Sequence, residues 1–163
     1  MDTRNLRVSR SARARLQAVV ALAVVLLAWA LPASAEETIR WERRQGIAES
    51  GGTISRASGA SLSAASSVQF LKSGDGYARF VVGDNSSAKV LGLSTAPSNA
   101  IGSIAFGVSL DSSGVAKAVE GGALGTTIGS FSVSDEFKIA IESGVAVVRR
   151  NGTLVHTFSA TPG

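Results

Sequence analysis

Asn151-Gly152 joins two short strand-like runs, Val145–Arg150 and Thr153–Phe158, and no other pair of residues restricts the fold as much. A two-residue link between such runs closes as a type I′ turn, which needs positive φ at both central positions, and Asn-Gly accepts that conformation. The same punctuation recurs after residue 36, at Ser73-Gly74-Asp75-Gly76, Gly83-Asp84-Asn85, Asp111–Gly114 and Ser143-Gly144. Between these breaks the apolar segments are short, and none carries a sustained 3.6-residue stripe. That pattern predicts an all-β sandwich or barrel. Strands are expected at Thr38–Trp41, Thr53–Arg56, Ser67–Leu71, Tyr77–Val82, Lys89–Leu93, Ser103–Leu110, Val115–Val119, Thr126–Ser132, Glu136–Glu142, Val145–Arg150 and Thr153–Phe158. The small polar stretch Ala57–Ala65 reads as a crossing loop.

Two-residue turns at 143–144 and 151–152 also dictate pairing. Ile141 then faces Ala146, Ile139 faces Val148 and Phe137 faces Arg150; beyond the second turn Arg150 faces Thr153, Val148 faces Val155 and Val147 faces His156. Strand alternation places Phe137, Ile139, Ile141, Ala146, Val148 and Val155 on a core face. Lys138, Ala140, Glu142, Val147, Arg149, Leu154 and His156 fall on the opposite face, and Arg150 points inward at the rim. One bulge would exchange the faces for part of the sheet.

The first 35 residues belong to a different physical class. Arg4, Arg7, Arg10, Arg13 and Arg15 precede an uncharged apolar run, Leu16–Leu31, which ends at Ala33-Ser34-Ala35. A basic region, an apolar region and a small-x-small site make residues 1–35 a secretory signal peptide by pattern. The run of 16 residues is shorter than the roughly 20 a bilayer-spanning helix needs, which favours cleavage before Glu36, with no membrane span after removal, over the alternative of an uncleaved anchor. No Arg-Arg pair occurs in this leader, which favours the general secretory route. The leader also carries the whole net charge. The chain holds 16 Lys+Arg and 12 Asp+Glu, and residues 1–35 contribute five Arg and one Asp, leaving 11 of each sign in residues 36–163. The apparent basicity is therefore no argument for a nucleic-acid partner. Those 128 residues suit one domain. Without cysteine, an exported chain must rely on packing rather than disulfides, and no thiolate site exists.

Signatures of common chemistries are missing: no G-x-S-x-G, no H-E-x-x-H, no phosphate-binding P-loop and no dinucleotide fingerprint. His156 is the only histidine, which argues against a histidine-built metal site and leaves a Ser-His-Asp triad without a serine on a strained turn. Asp75, Asp84, Asn85 and Asp111 could supply Ca²⁺ oxygens, yet all lie in turns where Asp and Asn are ordinary, and no cofactor is expected. Glu136 and Glu142 share a face but stand about 20 Å apart along one strand, too far for glycoside hydrolysis. Trp41 could stack a sugar, although a packed aromatic is the commoner use of that position. The most site-like group is Lys138, Arg149 and His156. Pairing sets Lys138 beside Arg149, and like charges directly opposite are mildly destabilising, a hint of an anionic ligand. The commoner use of such cations is to guard an exposed or edge strand against aggregation.

Several segments resemble the concanavalin A-like, SPRY-like β-sandwich modules of bacterial secreted and cell-surface proteins. They are Ile39-x-Trp41 with Gly46-Ile47, Gly76-Tyr77-x-x-Phe80 with Leu91-Gly92-Leu93-Ser94, and Ile104-x-Phe106-Gly107-Val108-x-Leu110 with Val119-Glu120. Asp135-x-Phe137-Lys138-Ile139, the turn before Val145, and Asn151-Gly152 complete the series. The resemblance implies an antiparallel two-sheet jelly roll that binds a glycan or surface protein without catalysis; it assigns no functional residue. It also implies at least one further closing strand past Gly163. Either the chain is a fragment, or an open sheet edge allows self-association or pairing with a partner strand. The expected protein is thus an exported, non-enzymatic binding module, with a structural or adhesive subunit as the alternative and a polysaccharide hydrolase behind both.

Overall fold

The computed structural model describes residues 36–60, 63–96 and 98–162. The expected leader, residues 1–35, lies outside the described residues, and Thr38–Gly163 cluster as a unit of their own. The strands are β1 (Trp41–Gln45), β2 (Ile47–Ser50), β3 (Thr53–Arg56), β4 (Ala64–Ser67), β5 (Gly76–Val81), β6 (Lys89–Ser94), β7 (Ile104–Leu110), β8 (Val115–Glu120), β9 (Ala123–Ser130), β10 (Glu136–Glu142), β11 (Val145–Arg150) and β12 (Thr153–Thr157). A 3₁₀ turn, Ile101–Ser103, precedes β7. Among the described residues no helix is long and apolar enough to cross a membrane.

All pairings are antiparallel. One four-stranded sheet runs β12-β11-β10-β5 and a second runs β6-β7-β8-β9, while β1-β4 and β2-β3 form two-stranded ribbons. The second sheet is a simple meander. In the first, three consecutive strands are extended by β5, which arrives from far earlier in the chain. The inner faces of these two sheets share one core, with Phe106, Val108, Leu110, Ala116 and Ala118 from one and Phe137, Ile139, Ala146 and Val148 from the other. Such a shared core makes the arrangement a β-sandwich. Phe137 is fully buried at its centre, 5.7 Å from the Phe80 ring and 6.5 Å from Phe131.

Four hairpins turn on paired residues with positive φ: Gly51-Gly52, Gly121-Gly122, Ser143-Gly144 and Asn151-Gly152. The last two match the sequence expectation. Gly-Gly supports the same type I′ turn, and it accounts for β2 and for the early start of β9, both missed in the expected strand set. Asn151 adds more than its conformation. Its Nδ2 donates to Asp135 Oδ1 at 2.8 Å and its Oδ1 accepts from Glu136 N at 2.8 Å, fastening the turn to the start of β10.

Near the N-terminal end two expected strands change. Val68–Leu71 leave the ladder, and β4 instead begins at Ala64, inside the expected crossing loop, because β1 is its partner. Ahead of β1, the Gln69 amide donates to Thr38 O at 2.9 Å and accepts from Arg40 N at 3.0 Å, and Val68 N donates to Arg40 O at 3.0 Å. Trp41 is half-buried at the start of β1, outside the main core, and its buried indole Nε1 has no hydrogen-bond partner among the described residues.

Bulges shape both sheets. Register shifts insert one extra residue at Ala105 in β7, at Ile128 in β9 and at Val155 in β12, and a second shift in β9 sets Gly125 and Thr126 against Ala118. Ala105, Ile128 and Val155 are partly buried apolar side chains packed on the core, whereas Gly125 and Thr126 are exposed. A bulge turns two successive side chains to one face, and at the first three sites it turns an additional apolar residue inward.

Candidate functional site

The bulge at Val155 divides the expected cluster. Arg149 pairs with Leu154 as alternation requires, but Val148 pairs with His156 rather than with Val155, and Val147 pairs with Thr157 rather than with His156. His156 therefore follows Val155 to the inner side. Its ring stands edge-on to the buried Phe158 at 4.8 Å, away from Lys138 and Arg149. Nearby, Glu120 accepts from Ser159 Oγ at 3.1 Å and from Ala160 N at 2.6 Å. These bonds, the amide first, hold the Glu120 carboxyl below its ordinary value, with a smaller contribution from His156. Ser159 thus donates to a carboxylate and not to the imidazole.

Lys138 and Arg149 do meet, as pairing arithmetic requires, and a third cation joins them. Lys138 is registered with Arg149 of β11 on one side and with Arg79 of β5 on the other. Arg79 lay beyond sequence reasoning because β5 and β10 are brought together only by the tertiary fold. The order β12-β11-β10-β5 makes β10 and β11 interior strands. Protection of an edge strand therefore does not account for Lys138 or Arg149.

The row is tied down by specific partners. Arg79 Nη1 lies 2.8 Å from Glu136 Oε2. Arg149 makes a two-point contact with Glu142, Nε to Oε1 at 2.9 Å and Nη2 to Oε2 at 2.7 Å. Two parallel bonds of this kind orient both planar groups. The Arg149 bonds hold the Glu142 carboxyl below its usual value, and Glu142 in turn raises Arg149. Glu142 and Arg149 lie on either side of the registered pair Ala140–Val147, and the ion pair spans it. Ala140 and Val147 are 1% and 6% exposed although both belong to the outer face. The Lys138 ammonium sits 4.1 Å above the centre of the Tyr77 ring. Tyr77, Val81, Val145 and Leu154 add exposed apolar surface to the same face. Its chemistry is that of a shelf: an apolar floor crossed by oriented guanidinium and carboxylate groups.

Three of the four candidate Ca²⁺ ligands, the aspartates, accept hydrogen bonds as turn residues. Asp75 Oδ1 accepts from Ser143 N at 2.7 Å, Asp84 Oδ1 from Ser86 N at 2.9 Å, and Asp111 Oδ1 from Ser113 N and Val115 N at 2.9 Å each. Bonds from the Ser86 hydroxyl and the Lys89 ammonium help push Asp84 down to about 2. No group of three or more His, Cys, Asp or Glu side chains that could hold a metal occurs among the described residues. Comparisons with family models, curated proteins and solved structures find no match to this chain.

Proposed function

We propose that this chain is an exported, non-enzymatic binding module that recognises a glycan or surface protein at the cell exterior through the outer face of β5-β10-β11-β12. The observation that carries this reading is the cation row Arg79–Lys138–Arg149 on that face. Two of its members lie on interior strands, and two are already oriented by carboxylates. Oriented polar groups over an apolar floor are what a binding surface needs for specificity at low entropic cost. The leader pattern of residues 1–35 supports export, and the segments that resemble concanavalin A-like modules support a jelly-roll form for the sandwich. Completion by a partner strand has less support at β9 and β12, which are bulged edges that twist away from pairing, than at the unbulged edges β5 and β6.

The test is a glycan and surface-protein binding screen of wild type against Lys138→Ala plus Arg149→Ala. Loss of binding in the double variant, with the thermal transition retained, supports the reading. Undiminished binding removes this face from it, and sugar release from a polysaccharide by the wild type replaces binding with catalysis.

A further inference from the structure

The three cations of the row are not equivalent, and the difference bears on the class of ligand. Arg79 is matched by Glu136 and Arg149 by Glu142. Among the described residues Lys138 has no salt bridge; its contact is the Tyr77 ring. It is also flanked in register by a guanidinium on each side, at a cross-strand Cβ spacing of about 5 Å. Three cations and two carboxylates leave one positive charge, and it is centred on Lys138. Like charges at directly opposed positions oppose folding, against which stand the Tyr77 ring and a weak attraction to Glu142. A cation held on an interior strand without a salt bridge of its own is where a binding requirement is expected to surface.

We infer that the outer face takes an acidic glycan, with Lys138 meeting a carboxylate or sulfate group on a sugar ring. The inference rests on the proposed function and specifies its ligand. Lysine is a compact point charge and suits a single anionic group, whereas the arginines are committed to their carboxylates. The surroundings favour an anionic polymer rich in hydroxyl groups over a surface of anionic groups alone. Glu136 lies two residues from Lys138 along β10 and Glu142 four residues the other way, about 7 and 13 Å at strand rise. Both would repel neighbouring anions. Sugar hydroxyls, by contrast, donate to those carboxylates and accept from the guanidinium groups. The exposed apolar side chains of the same face, Val81, Val145, Leu154 and the uncovered part of Tyr77, supply apolar area for the ring faces of a saccharide.

The probes are oligogalacturonate, its fully methyl-esterified and therefore neutral form, and chondroitin sulfate, titrated calorimetrically into wild type, Lys138→Gln and Lys138→Arg. At least one acidic probe is expected to bind, the esterified oligomer at least tenfold more weakly than its acid. Lys138→Gln is expected to weaken acidic binding by about tenfold while Lys138→Arg keeps most of it. The melting temperature of Lys138→Gln should stay within about 2 °C of wild type or rise, which a merely structural lysine would not allow. Equal binding of the acid and its ester, or unchanged binding by Lys138→Gln, overturns the acidic class and leaves the proposed face standing on its neutral ligand. If only neutral glycans or a protein bind in the broader screen, this inference fails alone. If nothing binds in either experiment, both fail.

Discussion

Gly107→Ala isolates one packing device of the second sheet. Gly92 and Gly107 are a registered pair on its outer face, opposite in direction to the inward Phe106 and Val108. The bulge at Ala105 turns that residue and Phe106 inward together and sends Ile104 outward, where its Cγ2 lies over both glycines. A Cβ on Gly107 would stand 2.6 Å from Leu91 O and 2.8 Å from Ile104 Cγ2. The first obstacle is backbone, so it cannot rotate away. Overpacking of this kind costs about 1–3 kcal/mol, and replacing a strand glycine by alanine returns roughly 0.5–1 kcal/mol of backbone entropy. A net loss of about 1–2 kcal/mol follows, or some 4–7 °C for a domain of this size. Urea unfolding at neutral pH measures it, with Gly83→Ala as control, since a Cβ there meets nothing within 4 Å. Ile104→Ala should recover only part of the loss in the double variant, because Leu91 O remains. If Gly107→Ala is as stable as wild type, or Gly83→Ala is the more damaging, the close approach of β6 and β7 does not hold.

Asn151→Ala should cost about 1–3 kcal/mol, since it removes the bonds to Asp135 and Glu136 and leaves a Cβ residue at φ +49°. Asn151→Gly, which keeps the conformation and loses only the bonds, should cost less; the opposite order in urea titrations refutes the clasp. His156→Ala should leave ligand binding unchanged while lowering stability, because the ring packs on Phe158; loss of binding at full stability would return His156 to the site. Acid should destabilise the domain. Asp84, Glu120, Asp135 and Glu142 all have folded-state values below their ordinary ones, chiefly through bonds from Ser86, Ala160, Asn151 and Arg149 respectively. Their stabilisation is present above the unfolded values near 4 and disappears as pH falls through the folded ones, down to about 2 for Asp84. Each group is largely solvated, so each share is small. Equal midpoints at pH 7 and pH 2.5 would contradict this.

Local chemistry in the chain was enough to determine the β10–β11 register, the Asn-Gly and Ser-Gly turns, and the inward set from Phe137 to Val148. Each depends on residues within a few positions of one another and on the period-two geometry of a strand. The Gly-Gly turns at 51–52 and 121–122 obey the same rule and were open to the same reasoning. The bulges were not, because whether Val155 lies opposite Val148 or is skipped depends on how the sheet coils over the core that receives it, which is a property of both sheets together. That single choice moves His156 from the outer face to the inner. Arg79 joined the row for a related reason: β5 precedes β10 by more than fifty residues, and only the closed sheet brings them into register. The sequence by itself determined that Lys138 and Arg149 would be neighbours. Only the tertiary structure decided that they lie inside the sheet rather than at its edge, and which of the three cations is left without a carboxylate.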